Sequence, residues 1–119
     1  MAEMVKSGDE NLAEKIIGDF ANMPMSQDKF QTLNTLSIYL AAIKNPGKVK
    51  WGIDEIVKFR DGVPANYRSQ TDPFINGMVL KGILTKKDKE AKENASNTVL
   101  QDLVNYIKSK LPEEDKKGF

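Results

Sequence analysis

The chain has 119 residues, 39% apolar, 29% charged and 8% aromatic, with a formal charge of +1; this is the profile of a single globular domain over 1–119 and excludes a disordered chain. Cysteine and histidine are both absent, which removes disulfides, thiolate nucleophiles, the usual zinc sites and histidine acid–base catalysis. No apolar run approaches the ~20 residues of a membrane span, and the polar opening MAEMVKSGDEN lacks a hydrophobic signal region, so the expectation is a cytoplasmic protein without a membrane partner.

The first predicted element is a helix over about 9–22. Asp9 stands as its N-cap, and Leu12, Ala13, Ile16, Ile17 and Phe20 fall on one face. Met23-Pro24 ends it. Ser26 caps a second helix that runs to about Lys44, with Phe30, Leu33, Leu36, Leu40 and Ile43 as its apolar stripe. Ile38, Tyr39, Ala41 and Ala42 widen that stripe, which marks the helix as central. Asn45-Pro46-Gly47 reads as a stop and turn. Lys48-Val49-Lys50-Trp51 then alternates like a short strand. Gly52 precedes a third helix over 53–60, in which Ile53, Ile56, Val57 and Phe59 are the buried candidates.

Asp61-Gly62-Val63-Pro64 breaks that helix, and 65–70 is polar apart from Tyr67. Thr71-Asp72-Pro73 has the form of a helix start, with Phe74, Ile75, Met78, Val79 and Ile83 on one face and Gly82 as C-cap. Asn76-Gly77 is equally the dipeptide of a tight hairpin, so a helix and a hairpin are both open here. Residues 83–87 read as a strand, and 88–97 as a solvated loop, a wing or the exposed first turns of the last helix. Ser96 or Asn97 caps a last helix over about 97–111, carrying Val99, Leu100, Leu103, Val104, Ile107 and Leu111. Pro112 stops it before a charged tail, 112–119.

The charge is divided along the chain. Residues 1–42 hold three lysines against six acids, and residues 43–110 hold thirteen Lys/Arg against eight acids. A basic middle of this kind points to a polyanion-facing surface. Carboxylate pairs are the remaining route to acid–base catalysis. Asp54/Glu55 adjoin and so do not share a helix face, while Asp9/Glu10 and Glu113/Glu114/Asp115 lie at helix ends or in the tail. The glycines match no phosphate-binding fingerprint and the acids no calcium loop. The expectation is no enzyme, no catalytic residue, no metal, no cofactor and no small-molecule ligand.

One arrangement is more specific. The order of central helix, short strand, helix, turn and a further helix ending in Leu80-Lys81-Gly82-Ile83-Leu84-Thr85-Lys86-Lys87 resembles the winged helix-turn-helix family over about residues 30–90. The resemblance implies a mainly α fold: a winged-helix-like three-helix core at about 26–90, a small β element, and added N- and C-terminal helices. In that family the third helix enters the major groove while the wing contacts phosphates. Carried over, the third-helix region supplies Tyr67, Arg68, Ser69, Gln70 and Asn76, and Lys81 belongs to the ending. The wing supplies Lys86, Lys87, Lys89 and Lys92, and Lys48 and Lys50 flank the first strand. Arg, Gln and Asn can read base edges, whereas lysines neutralise phosphates. Pro73 falls inside the span of the recognition helix. Either that helix starts at Pro73 or 65–70 form a separate turn.

Three functions follow. The first is a small DNA-binding regulator or architectural protein that binds duplex DNA as a homodimer. Its pairing stripe is Val99, Leu100, Leu103, Val104, Ile107 and Leu111, near the 3.5-residue repeat of paired helices. The second is an all-helical protein-interaction or assembly subunit, viral or part of a larger complex. The third is an RNA- or polyanion-binding subunit.

Overall fold

The computed structural model describes residues 10–24 and 26–115, and every regular element among them is helical. Helix α1 spans Glu10–Asn22, α2 Gln27–Ala42, α3 Pro46–Gly62 and α4 Ala65–Phe74. A π-helical segment, Ile75–Leu80, joins α4 to α5, Lys81–Glu93. Helix α6, Thr98–Lys108, and a short 3-10 turn at Glu113–Asp115 complete the described chain. The mainly α expectation holds, and the small β element is not seen among the described residues. The proposed cap Asp9 and the tail beyond 115 lie outside them.

The N-caps explain both what was legible and what was not. Ser26 accepts a hydrogen bond from Lys29 N–H at 3.3 Å, and Asn97 accepts one from Leu100 N–H at 3.1 Å, both as expected. Asn45 also caps: its Oδ1 accepts from Gly47 N–H at 2.9 Å and Lys48 N–H at 3.2 Å, with Pro46 at the first helical position. The Asn-Pro-Gly stop is therefore equally a start. The expected strand 48–51 is the first turn of α3, because Val49, Gly52, Ile53, Ile56 and Phe59 together make a helical stripe that outweighs a four-residue alternation. Gly52 brings α3 tightly onto α2, since a Cβ there would stand 2.3 Å from Leu40 Cδ2.

Residues 65–93 form one long rod. Thr71-Asp72-Pro73 is not a start, and Asn76-Gly77 is not a hairpin. Pro73 lies inside α4, and the wider π-helical turn follows two residues later. Proline withholds an N–H and crowds the preceding turn, and a π-helical turn is one way a helix absorbs such a fault without ending. Gly82 is mid-rod, not a C-cap, and the expected strand 83–87 and loop 88–93 are α5. Beyond the π-helical turn the buried positions Ile83, Leu84, Lys87 and Ala91 keep a helical period. Met78 departs from its expected apolar face and is 67% exposed.

The buried core draws on α1, α2, α3, the π-helical segment, α5 and α6, and from α4 only Phe74 packs against it. Helix α5 packs on α2 and α6; α1 lies against α2 and α3; α3 also meets α6. Leu33, Leu36, Leu40 and Ile43 are buried as expected, beside Ile53, Ile56, Ile75, Leu80, Leu84 and Leu103. The described chain measures 43 × 33 × 19 Å, so its short dimension is two helices thick.

Candidate functional site

Three polar ties hold the helices in register and consume several residues assigned above to DNA. Lys87 is 1% exposed. Its Nζ donates to the carbonyl of Ile43 at 2.7 Å and lies 3.5 Å from Glu90 Oε2, while Glu90 also faces Lys44 at 3.6 Å. The side chain expected on a solvated wing instead satisfies an open carbonyl at the end of α2. Burial lowers its pKa from 10.5 against the raising effect of Glu90, and Lys44 lowers it further. Arg60 Nη1 donates to Asn76 Oδ1 at 2.8 Å and to the carbonyl of Lys110 at 2.7 Å, so buried Asn76 is an internal partner, not a base reader. Tyr106 donates its hydroxyl proton to Asp54, which pushes its pKa up to about 12, with burial as the second cause. The Nζ atoms of Lys50 and Lys110 sit 5.4 and 5.0 Å from the centre of that ring.

Arg68, one of the expected base readers, caps the end of α3. Its Nε donates to the carbonyl of Val63 at 3.0 Å and its Nη2 to the carbonyl of Asp61. Lys48 faces Glu14 at 3.7 Å, and Lys92 faces Asp88 at 2.9 Å. Ser69 and Gln70 are exposed on α4, and Lys86 and Lys89 on α5. At 100° per residue, Lys81, Lys89 and Lys92 share one face of α5, with Asp88 among them. The expected dimer stripe is spent within the chain: Leu103, Val104, Ile107 and Leu111 are buried and Leu100 packs against the core. Val99 alone of that stripe is turned out, at 52% exposure. Of the candidate carboxylates, Asp54 serves Tyr106 and Glu55 pairs with Lys58 at 3.6 Å. No group of three or more metal-ligating side chains forms among the described residues.

What the fold does build is a groove of about 880 Å³ beside α4. One wall is the start of α2, with Ser26, Gln27 and Phe30; the floor is Phe59 of α3 with Val63 and Pro64 of the link to α4. The other wall is α4 itself, with Tyr67, Gln70, Thr71 and Phe74 at i, i+3, i+4 and i+7. Aromatic rings lead from the core into this groove: Phe20 meets Phe59 at 6.1 Å, Phe59 meets Phe30 at 6.2 Å, and Phe30 meets Phe74 at 5.1 Å between centroids. Tyr67 stands on the rim, 56% exposed. None of the ten lining residues is Asp, Glu, Lys or Arg, so the groove offers apolar surface and neutral hydrogen-bonding groups.

A second cleft of about 410 Å³ lies between the end of α2 and the α5–α6 turn, where Lys44 and Glu90 face Asn94 and Asn97. Its polar groups are the ion pair and the α6 cap already described, and Asn94, whose Nδ2 donates to the carbonyl of Glu90 at 2.9 Å. Of the residues expected to bind, the groove gathers Tyr67 and Gln70. Phe30, Phe59 and Phe74 were legible as helix-face residues but not as a site, since they stand far apart in the chain and only the fold brings them together. No protein-family model, curated protein or solved structure matches this chain. Among the described residues, no helix is long and apolar enough to cross a membrane.

Proposed function

We propose that this chain is a non-enzymatic helical interaction module that receives a segment of a partner protein in the groove between α2, α3 and α4. The observation that carries the reading is the state of α4. It has no buried residue of its own, yet it lines an open, uncharged, aromatic groove. A helix held this lightly by its own chain acquires the rest of its contacts when a partner covers it. A photo-crosslinking side chain placed at Tyr67 in cells that make the protein should give a discrete protein adduct, lost when Phe74 is replaced by alanine. The same group at Lys86 should give none. Nucleic-acid adducts from position 86 with no protein adduct at 67 would reject the reading.

Duplex DNA is the second reading, favoured by the lysine face Lys81, Lys89 and Lys92 on α5 together with Lys86. The winged-helix resemblance and a DNA-binding homodimer belong with it, and so does the related RNA or polyanion reading. Under it, phosphate contacts come from α5 alone, because Arg68, Asn76 and Lys87 are committed to backbone and side-chain partners. Alanine at Lys86 and Lys89 should then reduce the salt slope of binding by about two. Absence of any shift of duplex DNA at low salt would eliminate it.

A further inference from the structure

We infer that α4 is a latched strap: a segment that unwinds and lifts from the body as one unit while both its ends stay anchored. This holds whether or not the groove receives a partner. Most of what stabilises a helix is missing from α4. It has ten residues, fewer than the roughly 12–15 at which an isolated helix becomes even marginal in water. Its N-cap is Pro64, which makes no side-chain hydrogen bond, so the first turn lacks the oxygen that Ser26, Asn45 and Asn97 supply to other helices. Asn66, Ser69, Thr71 and Asp72 are weak helix formers, and Pro73 has no N–H to offer the carbonyl of Ser69. No residue of α4 is buried, and among the described residues none donates to the buried Oδ1 atom of Asp72.

The two ends are held firmly. Before α4, Val63 is buried. After it, Ile75 and Asn76 are buried, and Asn76 Oδ1 accepts from Arg60 Nη1 at 2.8 Å. The same nitrogen holds the carbonyl of Lys110 at 2.7 Å. Helix α3 and the end of α6 thus clamp the π-helical segment just past Pro73, and the rod hinges there instead of moving as a whole. Between the anchors the helix is about 15 Å long, whereas the same residues extended reach about 33–36 Å. Unwinding therefore gives the segment slack to lift with neither end moving. The latch is Arg68, whose Nε donates to the carbonyl of Val63 at 3.0 Å and whose Nη2 donates to the carbonyl of Asp61. Thr71, by contrast, directs its hydroxyl to the carbonyl of Tyr67 inside α4, at 3.3 Å. One arginine thus separates a helix that walls the groove from a loop that does not, an order–disorder switch on a rigid body.

The test is hydrogen exchange of the full chain, read amide by amide. Arg68→Met keeps the stem and its helix propensity and removes the donors. The amides of residues 69–72 should then exchange at least about tenfold faster, while those of Leu80, Leu84, Lys87 and Ile107 keep their rates. Ser69→Ala, on the exposed side, raises helix propensity and should slow residues 69–72 by about twofold, with no effect on α5. If either substitution changes α4 and α5 by the same factor, the rod opens as a whole and the strap is rejected. Unchanged exchange of residues 69–72 in Arg68→Met would overturn the latch. Global unfolding of that variant would overturn the inference as well, because the body keeps its fold when the strap is free. Ser69→Ala then stands as an independent check, and protection gained nowhere in α4 counts against the strap.

Discussion

Helices α4 and α6 are nearly equal in length, at 10 and 11 residues, and they sit in the fold in opposite ways. Helix α6 buries Leu103, Val104 and Ile107 against α5 and α3, whereas no residue of α4 is fully buried and the helix ends in a proline-bearing turn that opens into a π-helical segment. One helix is held by the core; the other is held by Arg68 on two carbonyls of the preceding turn and by Phe74 against Phe30. An apolar stripe at coiled-coil spacing, as on α6, is thus no guide to a partner, because the chain's own core claims it. The polar helix is the one left with a surface to offer.

Substitutions should separate the two regions widely. Leu36→Ala in the core and Ile107→Ala on α6 should each cost about 2–5 kcal/mol in urea denaturation, while Tyr67→Ala on α4 should stay within about 0.5 kcal/mol. Equal losses at Ile107 and Tyr67 would erase the distinction. Next in size is the pair of adjacent lysines. Lys87→Ala removes the donor to Ile43 and should cost about 3 kcal/mol, whereas Lys86→Ala on the exposed side should cost no more than about 0.5 kcal/mol.

Much of this was legible in the sequence, and the failures have physical causes. The starts of α2 and α6 follow from Ser26 and Asn97, and α1, α2 and α6 from their 3.6-residue stripes, although α6 ends at Lys108, three residues short of the expected Leu111. The start of α3 was hidden because Asn45-Pro46-Gly47 combines a break with a cap. Helix α4 was hidden because it lacks an apolar stripe of its own. Its hold on the body comes through Arg68 and Phe74, and neither contact shows in local periodicity. Lys87 misled most: lysine is ordinarily a surface residue, and nothing adjacent to it in sequence shows that the open carbonyl of Ile43 awaits it. The groove escaped for the same reason, as its three phenylalanines come from three helices.

Smaller effects sharpen the contrast. In native-state hydrogen exchange, the amides of α4 should open at lower free energy than those of α6 and the middle of α3, which should approach the global value. A partner segment in the groove should slow exchange in α4 first. The smallest effect is alkaline. Tyr106 should titrate near 12, visible as a late step in tyrosinate absorbance that Tyr106→Phe abolishes. Because its folded pKa is raised, its contribution to stability is full below about 10 and is lost as pH rises through 12. Lys87 acts with the opposite sign. Its folded pKa is lowered, so its contribution improves as pH climbs toward 10.5.

The three polar ties also order events in time. Lys87 reaches back 44 residues to Ile43, Arg60 reaches forward 50 to Lys110, and Tyr106 reaches back 52 to Asp54. In each, an early helix waits for a group that leaves the ribosome much later. Until residue 87 emerges, the end of α2 has an unanswered carbonyl, and until residues 106–110 emerge, Asp54 and Arg60 lack their native partners. The first three helices can therefore collapse on their leucines and isoleucines during synthesis, but their polar closure comes only with α5 and α6.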